Sequence, residues 1–312
     1  MSTRVLAPPA LIERLWIYQR ERFPLGKTGV LLAVFSAASV SVSAHLSGRA
    51  LPGLATFAGA WAVAVIFFFQ LRACDEIKDR EDDRRFRPER PIPRGLVSLR
   101  LIVGLGFAGV PIAAAIAAAL APALLAPLAL VWLWLALMTA EFFVPDWLKR
   151  RPFLYLVSHM AIMPLIDLFE TACEWLRRGG AVAAGLLWFL GLSFANGCVI
   201  ELGRKVWAPE NERPGVETYS GLLGPRRAAW LWAAAASIAF LLLVGTGFVT
   251  GAATVDGVLG GILLAVVWIV ALRFVRRPEP GRQKLIDAVA GLWVLVCYAS
   301  AGFAPFLGLV FR

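Results

Sequence analysis

PGLATFAGAWAVAVIFFFQLRA (52–73) runs without a break into CDEIKDREDDRRFRPERPIPRG (74–95). The first stretch is apolar over 22 residues, enough at ~1.5 Å per residue to cross ~30 Å of hydrocarbon. The second is dense in carboxylates and guanidiniums. An apolar segment of spanning length that empties into an ionic run reads as a helix leaving a membrane at a surface where chemistry can be done.

The same pattern repeats outward from this junction. Apolar blocks of spanning length fall at 27–47, 52–73, 98–120, 122–141, 153–173, 181–201, 227–248, 250–273 and 285–309. Hydrophobic residues make up 59% of the chain and charged residues 17%, against just under half and about a quarter in a soluble domain. The blocks use most of the chain, so the expected fold is all-α, one transmembrane domain over 1–312 with nine spanning helices. They are too long and too many for a cleaved leader. PALIERLWIYQRER (9–22) mixes large apolar and charged residues at helical spacing and reads as a helix lying in the interface.

The net charge of +10 would suit nucleic acid, but its placement excludes that reading. Of 31 Lys and Arg, 27 fall before the body of the first block or in alternate loops, at 72–100, 149–151, 204–227 and 273–284. The intervening loops hold Arg49, Arg177 and Arg178, and Arg312 ends the chain. This alternation predicts a cytoplasmic N-terminus and, after an odd number of spans, a C-terminus outside, with a bacterial inner membrane as the expected location. The four cysteines form no metal or redox spacing.

The acidic run has a pattern. Asp75, Asp79 and Asp83 recur every fourth residue, so on a helix they drift by only ~80° over the run and stack ~6 Å apart. Glu76 lies beside the first. Such carboxylates repel one another unless a cation sits among them, and hard oxygens at an open site suit Mg²⁺ shared with substrate phosphates. The arginines that follow would be redundant for a metal alone but pair well with a diphosphate. The same run also reads as a solvated, charge-mixed loop with i,i+4 ion pairs.

Asp75-Glu76-x-x-Asp79-x-x-x-Asp83 followed by RPERPIPRG (87–95) resembles the first aspartate-rich motif of the UbiA superfamily of intramembrane prenyltransferases, with Asp75 in that family's Asn position and Glu76 in its first Asp position. RFPLGKTGVLL (22–32) is similar to the start of the family's first span, and FVPDWLKRRP (143–152) to its inner loop before span five, where Lys149 matches a diphosphate-binding lysine and Phe143 replaces a common tyrosine. The resemblance implies a UbiA-like bundle with a central lipid-accessible cavity. It also implies Mg²⁺ held by Asp75, Glu76, Asp79 and Asp83, and transfer of a prenyl group from a prenyl diphosphate, its apolar tail extending into the helix bundle, to an acceptor not identified by the sequence.

The family's second D-x-x-x-D motif falls at 196–220, where Glu201 and Lys205 give E-x-x-x-K beside Arg204. Protonated lysine cannot ligate a metal but can neutralise phosphate as a point charge. Either Lys205 and Arg204 replace a second metal, or this end does not bind diphosphate and the two form an ordinary helix pair. Arg90, Arg94, Lys149, Arg204 and Lys205 are the candidate diphosphate contacts. Asp75, Asp79, Asp83 and Glu201 are the candidate catalytic carboxylates. Arg22 suits an acidic acceptor or a topology charge, and His159 and Asn196 are weaker candidates for the cavity wall. Glu170 and Glu174 are expected to pair with Arg177 and Arg178 at the outer interface; Asp167 has no role in this scheme. Two alternatives use the same residues differently: a membrane terpene cyclase, and a divalent-cation or lipid transporter whose path would be marked by Glu141, His159, Asp167, Glu170 and Glu201.

Overall fold

The computed structural model describes residues 10–310, with side chains to Phe306; Arg4, Pro9 and Arg312 lie outside the described residues. A short helix α1 (Leu11–Arg22) leads into α2 (Leu25–Leu46) and α3 (Leu54–Lys78). After the brief α4 (Arg80–Phe86) come α5 (Leu99–Leu120) and α6 (Leu125–Thr139). The fifth crossing is broken: α7 (Pro145–Lys149) is a surface turn, and the span is made by α8 (Pro152–Met160) and α9 (Ile162–Trp175). Then follow α10 (Leu186–Arg204), the one-turn α11 (Tyr219–Leu223), α12 (Pro225–Thr250), α13 (Ala253–Arg276) and α14 (Pro280–Val310). Nine crossings of spanning length and apolarity are present among the described residues.

Local chemistry sets the boundaries. Ser98 caps α5, its hydroxyl accepting from the Leu101 amide at 3.2 Å. Gly224 at φ 84° followed by Pro225 opens α12, and Gly251 in the left-handed region closes it. Hydropathy ends the second block at residue 73, but the helix runs on to Lys78, carrying Cys74, Asp75 and Glu76 as its last turn. The sixth crossing starts at Leu186, five residues after the expected start of its block, because the Gly179-Gly180 turn occupies the approach.

Without water to drive apolar association, packing relies on small residues and buried polar links. A Cβ on Gly302 would collide with the Ala38 backbone, so α14 and α2 meet there without side chains between them. Gln70 donates to the Gly106 carbonyl at 3.0 Å and accepts from Trp132 at 3.0 Å, tying α3 to α5 and α6. Asp167 accepts from Ser39 and from Tyr298, each at 2.6 Å, and Tyr298 also reaches Ser193 at 3.2 Å. That single carboxyl joins α2, α9, α10 and α14, which gives Asp167 a structural role the sequence did not suggest.

At the far face, Glu174 meets Arg49 at 3.2 Å and Arg178 at 3.5 Å, as expected of an outer-interface pair. Glu170 departs from expectation. It is fully buried and neither oxygen has a hydrogen-bond partner among the described residues, because it sits a helical turn deeper than the arginines reach.

Candidate active site at the basic end of the bundle

The carboxylates of the first motif are expected on one face; the structure divides them into two pairs. Glu76 and Asp83, i and i+7 across the α3–α4 junction, are buried. Glu76 is held by the Arg22 guanidinium at 2.7 Å, with the Tyr18 hydroxyl at 3.4 Å. Asp83 accepts two bonds from Arg90, at 2.8 and 2.7 Å, and lies 3.4 Å from Arg87. Asp75 and Asp79, one turn apart, keep side chains 44% and 43% exposed and make looser ion pairs, Asp75 with Arg72 at 3.4 Å and Lys78 at 4.0 Å, Asp79 with Arg90 at 3.9 Å. The expected four-carboxylate metal ladder therefore does not form as one site: partners from α1 and the 87–94 loop claim half of it.

These ion pairs are internally consistent. Burial alone would lower the pKa of the Arg22 guanidinium, but the Glu76 carboxylate more than offsets this and raises it. Burial, with the Glu76 charge added, pushes the Tyr18 hydroxyl well above its ordinary value, so Tyr18 remains a donor. Arg22 is thus occupied with Glu76 rather than open to an acceptor, and Arg94 is occupied with Glu21 at 2.8 Å and the Glu89 carbonyl. Arg90 is committed to Asp83.

The open pair faces the other motif. Asp75 lies within electrostatic reach of Asp79 and of Glu201 on α10. Tyr155 on α8 lies within reach of Glu141, Asp79, Asp75 and Glu201. Two residues passed over in the sequence belong here. Lys78 places its Nζ 3.4 Å from the Tyr155 hydroxyl and 4.0 Å from Asp75. Tyr155 itself stacks on His159 with centroids 3.8 Å apart. Tyr155 precedes His159 by one helical turn, a spacing that could have flagged it. Nothing in the sequence distinguished Lys78 from its basic neighbours.

On α10, Lys205 meets Glu201 at 2.9 Å as an i,i+4 pair, and Arg204 is exposed. Lys149 is half exposed, 3.8 Å from Glu141. Glu141, Phe142 and Phe143 all have positive φ, at 47°, 53° and 61°. Three consecutive L-residues in the left-handed region are costly. The turn ends α6 abruptly, buries Glu141 at the site and turns Phe143 out to 78% exposure. His159 is buried, with Nδ1 2.9 Å from the Tyr155 carbonyl. Asn196 is buried and accepts from Trp293 Nε1 at 3.1 Å, which ties α10 to α14. Tyr219, stacked on Phe153, has its hydroxyl pKa raised by burial and by Glu201.

The two loops that carry these groups touch. Arg213 lies 3.9 Å from Glu89, and Gly215, at φ 75°, lets Phe86 pack against its Cα. Among the described residues no three His, Cys, Asp or Glu side chains converge into a ready-made metal cage. The arrangement is two open carboxylates and a third opposite, ringed by Lys78, Lys149 and Lys205.

The described residues form an all-helical bundle of spanning helices with a cluster of acidic and basic side chains at one end of its spans. The chain belongs to the UbiA prenyltransferase family, whose model matches residues 34–295. It is a membrane prenyltransferase of that family. Its fold is similar to the apo structure of a UbiA homologue from Aeropyrum pernix K1, at 19% identity and a TM-score of 0.66, covering 89% of this chain and 98% of that one. A UbiA homologue from Archaeoglobus fulgidus bound to DMAPP and Mg²⁺ matches at 14% identity and a TM-score of 0.55, over 92% and 99% of the two chains. A structure described for digeranylgeranylglyceryl phosphate synthase matches at 13% and 0.56, also over 92% and 99%. No individual curated protein matches the chain.

Proposed function

We propose that this protein ionises an allylic prenyl diphosphate with Mg²⁺ and passes the prenyl group to an acceptor. The observation that carries the reading is the half-exposed pair Asp75 and Asp79, which has no charged hydrogen bond as short as those of Glu76 and Asp83 and only looser ion pairs to Arg72, Lys78 and Arg90 at 3.4–4.0 Å, with Glu201 near enough to act on Asp75. Two or three hard oxygens with room beside them fit Mg²⁺, which prefers a few carboxylates completed by phosphate oxygens. Glu76 and Asp83 fit less well, because Asp83 spends both oxygens on Arg90 and Glu76 is buried with its Oε1 held by Arg22.

Asp75 and Asp79, with Glu201 opposite, would hold the metal. Bound Mg²⁺ supplies Lewis-acid charge that offsets the departing diphosphate. Lys205, Lys149, Lys78 and the exposed Arg204 place further positive charge where the diphosphate leaves. The structure of the E-x-x-x-K pair leaves Lys205 able to exchange its Glu201 contact for a phosphate oxygen. The Tyr155, Phe153 and Tyr219 rings present π faces suited to an allylic cation. The prenyl tail extends between the spans into lipid, and the basic end faces the cytoplasm.

A structure with Mg²⁺ and a non-ionisable prenyl thiolodiphosphate tests the site. The expected result is phosphate density between Asp75 and Asp79 on one side and Lys205 on the other. Ligand bound elsewhere, or bound equally well in EDTA, would reject it.

A further inference from the structure

A pocket of about 400 Å³ lies beside the first motif, against Glu76 and Asp83. Its walls come from three elements: Arg14 on α1, Arg80 and Arg84 on α4, and the 92–99 segment leading into α5. Neither Asp75, Asp79 nor Glu201 lines it. The floor is the pair of carboxylates Glu76 and Asp83, already neutralised by Arg22 and Arg90. Arg80 and Arg84 are exposed and make no ion pair among the described residues. Arg14 is fixed in place by donating to the Leu96 carbonyl at 2.5 Å. The net character of the pocket is therefore cationic.

Its setting is amphipathic. Ile92, Pro93, Val97 and Leu99 supply apolar wall. α1 packs its inner face on α3 and the segment before α5 through Tyr18, Ala73 and Val97, and leaves Leu11, Ile12 and Trp16 exposed at 51%, 83% and 60%. Those side chains place α1 in the interfacial layer, where apolar residues enter the acyl boundary. The pocket thus opens beside a membrane-embedded helix, at the level of headgroups, where α5 enters the bilayer.

We infer that this pocket binds the phosphate headgroup of an anionic phospholipid, with Arg80 and Arg84 contacting the phosphate and the lipid's chains lying along α1 and α5. The volume suits a headgroup. Two uncommitted guanidiniums on one helix face suit a phosphate, and basic pockets at the charged end of a span are where acidic headgroups are recognised. The inference does not depend on the proposed reaction, since it uses none of the residues assigned to it.

The test is thermal unfolding of the purified full chain in zwitterionic micelles titrated with phosphatidylglycerol, with phosphatidylcholine, or with inorganic phosphate. Phosphatidylglycerol alone is expected to raise Tm saturably. Arg80→Gln/Arg84→Gln is expected to need about thirtyfold more lipid, at roughly fivefold for each basic residue lost. Arg226→Gln/Arg227→Gln removes the same charge from two exposed arginines elsewhere on the basic face and should leave the titration unchanged. Equal loss in both variants, or no loss in the first, would overturn the site in favour of diffuse surface charge. An equal Tm rise with inorganic phosphate would overturn the lipid assignment.

Discussion

Each carboxylate of the first motif takes its role from its partner, and partners are what spacing cannot show. Glu76 side-chain exposure is 3% and that of its partner Arg22 is 13%. Removing one member of such a pair strands a buried charge, at about 3–5 kcal/mol. Glu76→Ala should therefore lower stability by about that much, read as a fall in Tm, whereas Asp75→Ala should leave Tm nearly unchanged because its side chain is half exposed. The four residues look equivalent in sequence. The arginine that separates Glu76 from its neighbours lies 54 positions earlier, on a helix whose docking is a tertiary event. Lys205 gives a second test at this scale. Lys205→Asp puts a carboxylate at the second acidic position of the family's second motif, giving E-x-x-x-D, and diphosphate release should then require a higher order in Mg²⁺. An unchanged metal dependence would return Lys205 to an ordinary helix pair with Glu201.

Among the elements, the spans were readable because twenty apolar residues permit little else in hydrocarbon. Their ends were less so. α3 continues beyond the hydropathy boundary through Cys74–Lys78, residues without Gly or Pro that end on a basic last turn, and the acidic first turn of α4 marks a fresh helix start after Asp79. The break of the fifth crossing at Ala161, between α8 and α9, leaves no mark in hydropathy, but Pro164 gives no amide to the Met160 carbonyl and its ring crowds that carbonyl; the left-handed turn at Glu141–Phe143 leaves no mark in hydropathy either. Close crossings were visible only as a general wealth of small residues. Gly302 is a specific case: any side chain there meets the α2 backbone at Ala38, which cannot give way as a side chain could. Gly302→Val should cost at least about 1–3 kcal/mol, measured as a lower Tm in detergent, while Gly291→Ala, with open space around it, should cost less than a third of that.

For the whole molecule, charge and fold agree. The loops rich in Lys and Arg fall at one end, together with both motifs, and the far end is knitted by Arg49, Arg177 and Arg178 to Glu174, Thr56 and the Ala50 carbonyl. The proposed orientation is checked by labelling: in a chain stripped of its native cysteines, a cysteine replacing Arg213 should react with an impermeant maleimide only after the cell membrane is opened, and one replacing Gly180 should react in intact cells. The central claim is that substrate is held by the open half of the acidic motif. Its most direct test is the initial rate of diphosphate release from geranylgeranyl diphosphate with Mg²⁺, compared between the wild type and Asp79→Ala at matched Tm. A loss of at least about 100-fold is expected, the scale of removing one transition-state charge contact. Turnover by Asp79→Ala at the wild-type rate would contradict it.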